Sequence, residues 1–507
     1  MKASKRLVMM VALILVVAML SACGSGNDKK SNDSKGEQGS EKAEAKLPVR
    51  YLLPGNAPED LATAVAAINK KLEEDGLNLV YEPTYIPWDV WDQKTNLMMS
   101  TGEEFEIIAI MHDAKSPNVL VGNGGIVPID ELLEKYGKEM KATIPDWIWD
   151  SAVINEKIHY VPNFWLDTAF NDGMVTMRSD LLEKNSLSAP KSPEELLNVA
   201  EQIKNNWPED DKNVYLKVLN EPPYFLHNTY EAFPFTVVDN MIFIDQEGNV
   251  KSWLETEEFK MDVNYMRAAY ERKLIHPDIL TVPTEVLNQE ELAGRYLYRP
   301  SDVSISDSVR ERFPGAEVDI YYLNEGAKFR SYALRNSNGI SATSPHPEAG
   351  IQFLNWVYSD QDNFDLTLYG VKGEHWEDAG KNLKNILKFN SNGGAAYELA
   401  NWLLGHVEMS RYPSNYDKAM LERRTTIADE ANVVNSITIG FNFDPEPVAA
   451  EYANATAEMK TSIDPIRSGV VSYDQAFIKG LNNMKAAGLD RVVEEYNKQF
   501  TAWLQSK

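Results

Sequence analysis

VRYLLPG (49–55), LNLVYEPTYI (77–86) and FEIIAIM (105–111) are three apolar runs of strand length. Between them lie two stretches of helical period. In 58–73, Leu61, Val65, Ile68 and Leu72 are spaced to share one helix face, and in 88–101 Trp88, Trp91, Thr95 and Met98 do the same. The order strand–helix–strand–helix–strand predicts an α/β domain with a parallel sheet and crossover helices. The loop after the third strand, His112-Asp113-Ala114, then falls at the carboxyl ends of the strands, where open α/β sheets bind ligands.

Before this block the chain changes character. Lys2, Lys5 and Arg6 precede an apolar run, Leu7–Leu20, of fourteen residues. A bilayer-spanning helix needs ~20 residues, so this reads as a secretory signal rather than a membrane span. Leu20-Ser21-Ala22-Cys23, followed by Gly24, resembles the lipobox of bacterial lipoproteins. That resemblance implies a signal peptide over 1–22, cleavage before Cys23 and a lipid on the Cys23 sulfur. Residues 23–46 hold no aromatic and no large aliphatic side chain, which predicts a disordered tether between the lipid and the folded body.

Composition excludes several functions. The 507 residues carry a net charge of −26, which disfavours nucleic acid and basic membrane-surface patches. Cys23 is the only cysteine, so neither a disulfide framework nor a cysteine metal site can form. The seven His show no helical zinc-protease pairing, and no Gly-rich phosphate fingerprint or nucleophile elbow occurs. Asp245-Gln246-Glu247-Gly248-Asn249 lacks the remaining acidic ligands of a calcium loop and reads as a hairpin turn. No cofactor and no metal is called for.

Further along, KIHYVPN (157–163), FWLDTAF and GMVTMRSDLLEKN (173–185) are followed by a helix over 190–203, which Ser192 caps with Glu195 three residues on. NSNGISATSPHPEAGIQFLNWVYSDQDN (336–363), LYGVKGEHWE (368–377), GFNFDPEPV (440–448) and MKAAGLDRVVEEYNKQFTAWL (484–504) continue the series. In order and spacing, these segments resemble the sugar-binding solute-binding lipoproteins of ABC importers, in the branch typified by LplA. The resemblance spans nearly the whole chain after the tether. It implies a two-lobe, periplasmic-binding-protein-like α/β fold of maltose-binding-protein type, with hinge crossovers and a ligand cleft. Lobe one would be 47–166 plus 332–370, and lobe two 172–330. The stretch 371–507 would add a crossover and helices packed mainly on lobe two. A carbohydrate ligand, ABC permease subunits and the membrane, reached through the lipid, would be the partners of a monomer facing the outside of a Gram-positive cell.

A sugar offers apolar C–H faces to aromatic rings and hydroxyls to carboxylates and amides. The cleft positions implied by the resemblance are Trp88, His112, Asp113, Asn163, Trp165, Tyr298, Asn338, Trp376 and Asp444. Several have a structural alternative. Trp88 could pack beside Trp91, Asp113 could close a turn, and Asp444 could cap the helix starting near Pro447. Two other functions fit the same sequence: a secreted lipoprotein glycosidase, and a binder of non-sugar ligands such as peptides.

Overall fold

The computed structural model describes residues 45–112, 117–165, 170–171, 173–216, 224–300, 305, 307–324, 328–331, 334–391, 393–426 and 433–506. The expected signal peptide, Cys23, nearly all of the expected tether and Asp113 lie outside the described residues. Among the described residues, no helix is long and apolar enough to cross a membrane.

The opening block folds as the spacing predicts. Strands Leu47–Pro54, Leu79–Ile86 and Ile107–Met111 are parallel, with Leu47–Pro54 in the middle. Helix Leu61–Glu74 buries Ala64, Ile68 and Leu72 against them. The second helix differs from expectation at its start. Pro87 is followed by a single tight turn, Trp88–Val90, and the α-helix begins at Trp91. Trp91, Thr95 and Met98 stay on the buried face, but Trp88 is turned outward.

Two distant segments complete this sheet. Asn336–Ile340 runs antiparallel between Ile107–Met111 and Tyr160–Pro162, placing Asn336 opposite Met111 and Ser337 opposite Pro162. The ends of the parallel strands, the start of Asn336–Ile340 and the end of Tyr160–Pro162 therefore share one edge.

Two separate apolar cores divide the body into two α/β lobes. The first lies around this sheet and includes Tyr51, Ile68, Ile107, Phe353 and Leu368. The second includes Val175, Leu197, Trp253, Phe259 and Phe500. Its strands are antiparallel: Met174–Arg178 pairs with Val318–Tyr322, and Phe235–Val238, Ile242–Asp245 and Val250–Ser252 form a meander. The turn at Asp245 is the expected hairpin, in which its carboxylate accepts the backbone N–H groups of Glu247 and Asn249. Helix Pro193–Asn205 starts at Ser192, whose Oγ accepts Glu195 N–H at 3.2 Å. Glu195 reaches back to Lys191 N, one residue before the cap.

The stretch 371–507 contributes to both cores, with most of its buried residues in the second. Trp376, Leu399, Leu403 and Leu404 are buried in the first core, whereas Met420, Val448, Val492, Tyr496 and Phe500 belong to the second. The third passage between lobes thus comes after Leu404. The connecting segments meet in a small sheet, where Lys328–Arg330 pairs with Phe170–Asn171 on one side and Val433–Asn435 on the other.

Candidate functional site at the sheet edge of lobe one

The shared edge of the first sheet gathers several of the predicted residues. His112 follows Met111, and its Nε2 lies 2.8 Å from Ser337 Oγ. Its ring meets Tyr160 edge-on, with centroids 5.3 Å apart. Trp165 is half-buried and its indole N–H donates to Asn336 Oδ1 at 3.1 Å. Asn336 O also accepts the backbone N–H of Asn163. These groups come from three strand ends, so the sheet itself fixes their spacing.

Trp88 stands at the same edge, after strand Leu79–Ile86. It is 54% exposed, and its indole lies 5.7 Å from that of Trp402, tilted by 35°. Gly55, after Leu47–Pro54, has φ +101°, and a Cβ there would sit 3.4 Å from Trp88 Nε1. Only glycine combines that backbone conformation with room for the indole.

Four predicted cleft residues are placed differently. Asn338 is fully buried one pleat below the edge, where it accepts from Tyr51 Oη and donates to Leu403 O at 3.1 Å. Tyr298 is a core residue of lobe two, 2% exposed, with its hydroxyl 2.5 Å from that of Tyr265. Trp376 is 3% exposed and donates to Gly370 O at 3.0 Å, its ring buried in the first core while the strand it begins is largely exposed. Asp444 is exposed and accepts Glu446 N–H at 3.0 Å, closing a local turn just ahead of the helix, whose N-cap residue is Val448. Asn163 is at the edge but buried, and its amide donates to the carbonyls of Asn401 and Trp402.

Polar contacts link the lobes among the described residues. Asn118 donates to Phe443 O at 2.7 Å and Asn442 to Val153 O at 3.1 Å. The Arg330 guanidinium, on a connecting strand, lies 4.6 Å over the Trp147 ring.

Asp60, Glu374 and His375 converge closely enough to consider a metal. The Lys388 ammonium already serves as their cation, paired with Asp60 and 3.3 Å from Glu374. His375 Nε2 is 2.9 Å from Asp60, and its Nδ1 accepts Val371 N–H. Lys388, followed by Thr63 and His375, holds the Asp60 carboxyl down to about 2. This is an ion-pair network tying the start of helix Leu61–Glu74 to the 371–388 segment. Elsewhere near the edge, burial pushes His406 below the usual imidazole range.

Trp402, Asn336 and Ser337 were not singled out in the sequence. Asn336 and Ser337 lie immediately before Asn338 in the same polar run, and alternation does not say which of them reaches the edge. Trp402 carries no local pattern beyond being an aromatic residue.

Comparisons with known proteins bear on this arrangement. A family model described as a domain of unknown function, DUF3502, matches residues 437–505. The chain is 26% identical to a carbohydrate ABC transporter substrate-binding protein of Streptococcus pneumoniae serotype 4 (strain ATCC BAA-334 / TIGR4), over 98% of this chain and 97% of that protein. It is 22% identical to the polygalacturonan/rhamnogalacturonan-binding protein YtcQ of Bacillus subtilis (strain 168), over 97% and 98%. Among solved structures, the N-glycan transport solute binding protein NgtS of Streptococcus pneumoniae, in complex with Man1GlcNAc, superposes with a TM-score of 0.73. It is 21% identical and the match covers 91% of this chain and all of that one. The chain therefore has the two-lobe α/β fold of solute-binding proteins, and its relatives are carbohydrate ABC transporter substrate-binding proteins.

Proposed function

We propose that this chain is the extracytoplasmic substrate-binding receptor of an ABC importer, taking an oligosaccharide or sugar derivative between its lobes and delivering it to the permease. The observation that carries the reading is similarity to a carbohydrate substrate-binding protein along 98% of the chain. The sheet edge supports it, with an indole at Trp165, an imidazole at His112 and the Ser337 hydroxyl converging where strands end. An indole face takes the C–H side of a sugar ring, while hydroxyl and imidazole groups exchange hydrogen bonds with its hydroxyls.

On this reading the protein performs no chemistry. The permease distinguishes loaded from empty receptor because ligand favours the conformation that both lobes form together. Cys23 anchors it by lipid to the outer face of the cytoplasmic membrane as a monomer, after removal of residues 1–22. Fatty-acid analogue labelling of cells should mark the wild type and not Cys23→Ser; equal label in both would sink the anchor.

The central test is calorimetry of the purified body against defined oligosaccharides of two to six units, built from mannose, glucose, galactose, fructose, galacturonate and N-acetylglucosamine. At least one series should bind without release of reducing ends. Release would favour the glycosidase, and binding of peptides alone would replace the sugar reading.

A further inference from the structure

We propose that Trp88 and Trp402 form a second sugar-stacking subsite beside Trp165, mounted by Asn163, Asn338 and Tyr51. The inference rests on the carbohydrate reading above and deepens it, because it requires a ligand of at least two rings.

The first observation is exposure. Of the 11 tryptophans, Trp88 alone is among the exposed large hydrophobic residues, while Trp91, Trp149, Trp207, Trp253, Trp356 and Trp376 are buried. Its indole leans on Trp402 at 35° rather than stacking flat, so the pair leaves a splayed apolar surface at the binding edge.

The second observation is the mount. Asn401–Leu404 is one helical turn, and the last carbonyls of a helix have no partners within it. Here side chains donate to all four, Asn401 O accepting the Gly405 backbone N–H as well. Asn163 Nδ2 donates to Asn401 O and Trp402 O at 3.2 and 2.6 Å, Asn338 Nδ2 to Leu403 O at 3.1 Å, and Tyr358 Oη to Leu404 O at 3.0 Å. Tyr51 Oη donates to Asn338 Oδ1, and Tyr369 Oη to Asn401 Oδ1. Leu403 and Leu404 are buried below the turn, whereas Trp402 is only half-buried above it. The buried amides singled out as ligand contacts thus act as positioning residues for an aromatic one. A platform ordered before binding loses little freedom on binding, which is how a rigid anchor gains affinity.

The third observation links the platforms. Asn163 holds Trp402 through its side chain and Asn336 through its backbone, and Asn336 holds the Trp165 indole. One polar chain therefore sets the spacing of Trp165 from the Trp88–Trp402 pair. The occupant that fits is the C–H face of one sugar unit at each platform.

The experiment is calorimetry of Trp88→Ala, Trp402→Ala and Trp88→Phe against the same oligosaccharide series, with melting curves of the free proteins. Both alanine variants should bind the longer oligosaccharides about tenfold more weakly, with a smaller effect on the disaccharide, and Trp88→Phe should recover most of the loss. Trp88 is on the surface, so Trp88→Ala decides the matter if Trp402→Ala melts early. Wild-type affinity in Trp88→Ala for every length overturns the subsite and leaves the carbohydrate reading standing. Normal binding with failed uptake would assign the pair to the permease, and also overturns it. A wild type that binds no oligosaccharide removes both the reading and the subsite.

Discussion

Asn336 and Asn338 differ by one pleat, and that step decides their roles. Asn336 lies opposite Met111 at the end of its strand and accepts from Trp165. Asn338 lies opposite Ala109, under the Asn401–Leu404 turn, with both ends of its amide used inside the protein. The resemblance pointed to Asn338 alone; depth below the edge depends on what packs above, here a turn more than 60 residues away in the chain. Tyr298 was misplaced for a related reason, since its partner Tyr265 sits on a helix no local pattern connects to it. Opposite outcomes are expected for the two aromatics. Trp165→Ala should bind oligosaccharide about thirtyfold more weakly, a loss of ~2 kcal/mol, with little change in melting of the free protein. Tyr298→Phe should bind normally but lose ~1–2 kcal/mol of stability in denaturant, because the buried Tyr265 hydroxyl is left without that partner. Weakened binding in Tyr298→Phe at unchanged stability would return Tyr298 to the cleft.

Among the elements, those set by local spacing were legible. Strands Leu47–Pro54, Leu79–Ile86 and Ile107–Met111 lie within a few residues of their expected limits, and the helix after Ser192 starts at its cap. Ser192→Ala should cost ~1 kcal/mol in chemical unfolding through loss of that cap. The 371–404 segment was not legible, because its apolar residues join a core assembled from segments far apart in the chain, with the Asn401–Leu404 turn against strand Asn336–Ile340. Its attachment to the first lobe includes Asp60, and this gives a pH test. Asp60 titrates at about 2 when folded, below its unfolded value of about 3.9, so as pH falls the unfolded chain takes up the proton first. The stabilisation is complete above about pH 4 and is lost as pH falls toward 2. The melting difference between wild type and Asp60→Asn should therefore be constant from pH 7 to 5 and shrink from pH 4 to 2. A difference that does not change over the acid range would show that the network contributes no charge-dependent stability.

At the scale of the molecule, the two lobes keep separate cores and are joined by segments that meet in one small sheet. The direct contacts described between them are two amide–carbonyl hydrogen bonds, with one cation–π contact from a connecting strand. None resembles a shared apolar core, and interfaces of this polar kind permit relative motion of domains. Hinge closure around ligand is the motion such an architecture supports. A sugar held on the first lobe at Trp165 and touched by the second would add contacts available only when the lobes approach. Small-angle scattering should then show a smaller radius of gyration with saturating oligosaccharide than without it. Melting should also rise, since a ligand that binds only the folded state at a hundred times its Kd adds about 2.7 kcal/mol. The two readouts separate the possibilities. Compaction together with stabilisation fits a closing receptor. Stabilisation with an unchanged radius of gyration would mean that ligand binds without moving the lobes, and the closing-cleft account would fail. Trp165→Ala supplies the control: at a concentration that half-saturates the wild type it should neither compact nor gain stability, while at thirtyfold more sugar it should do both.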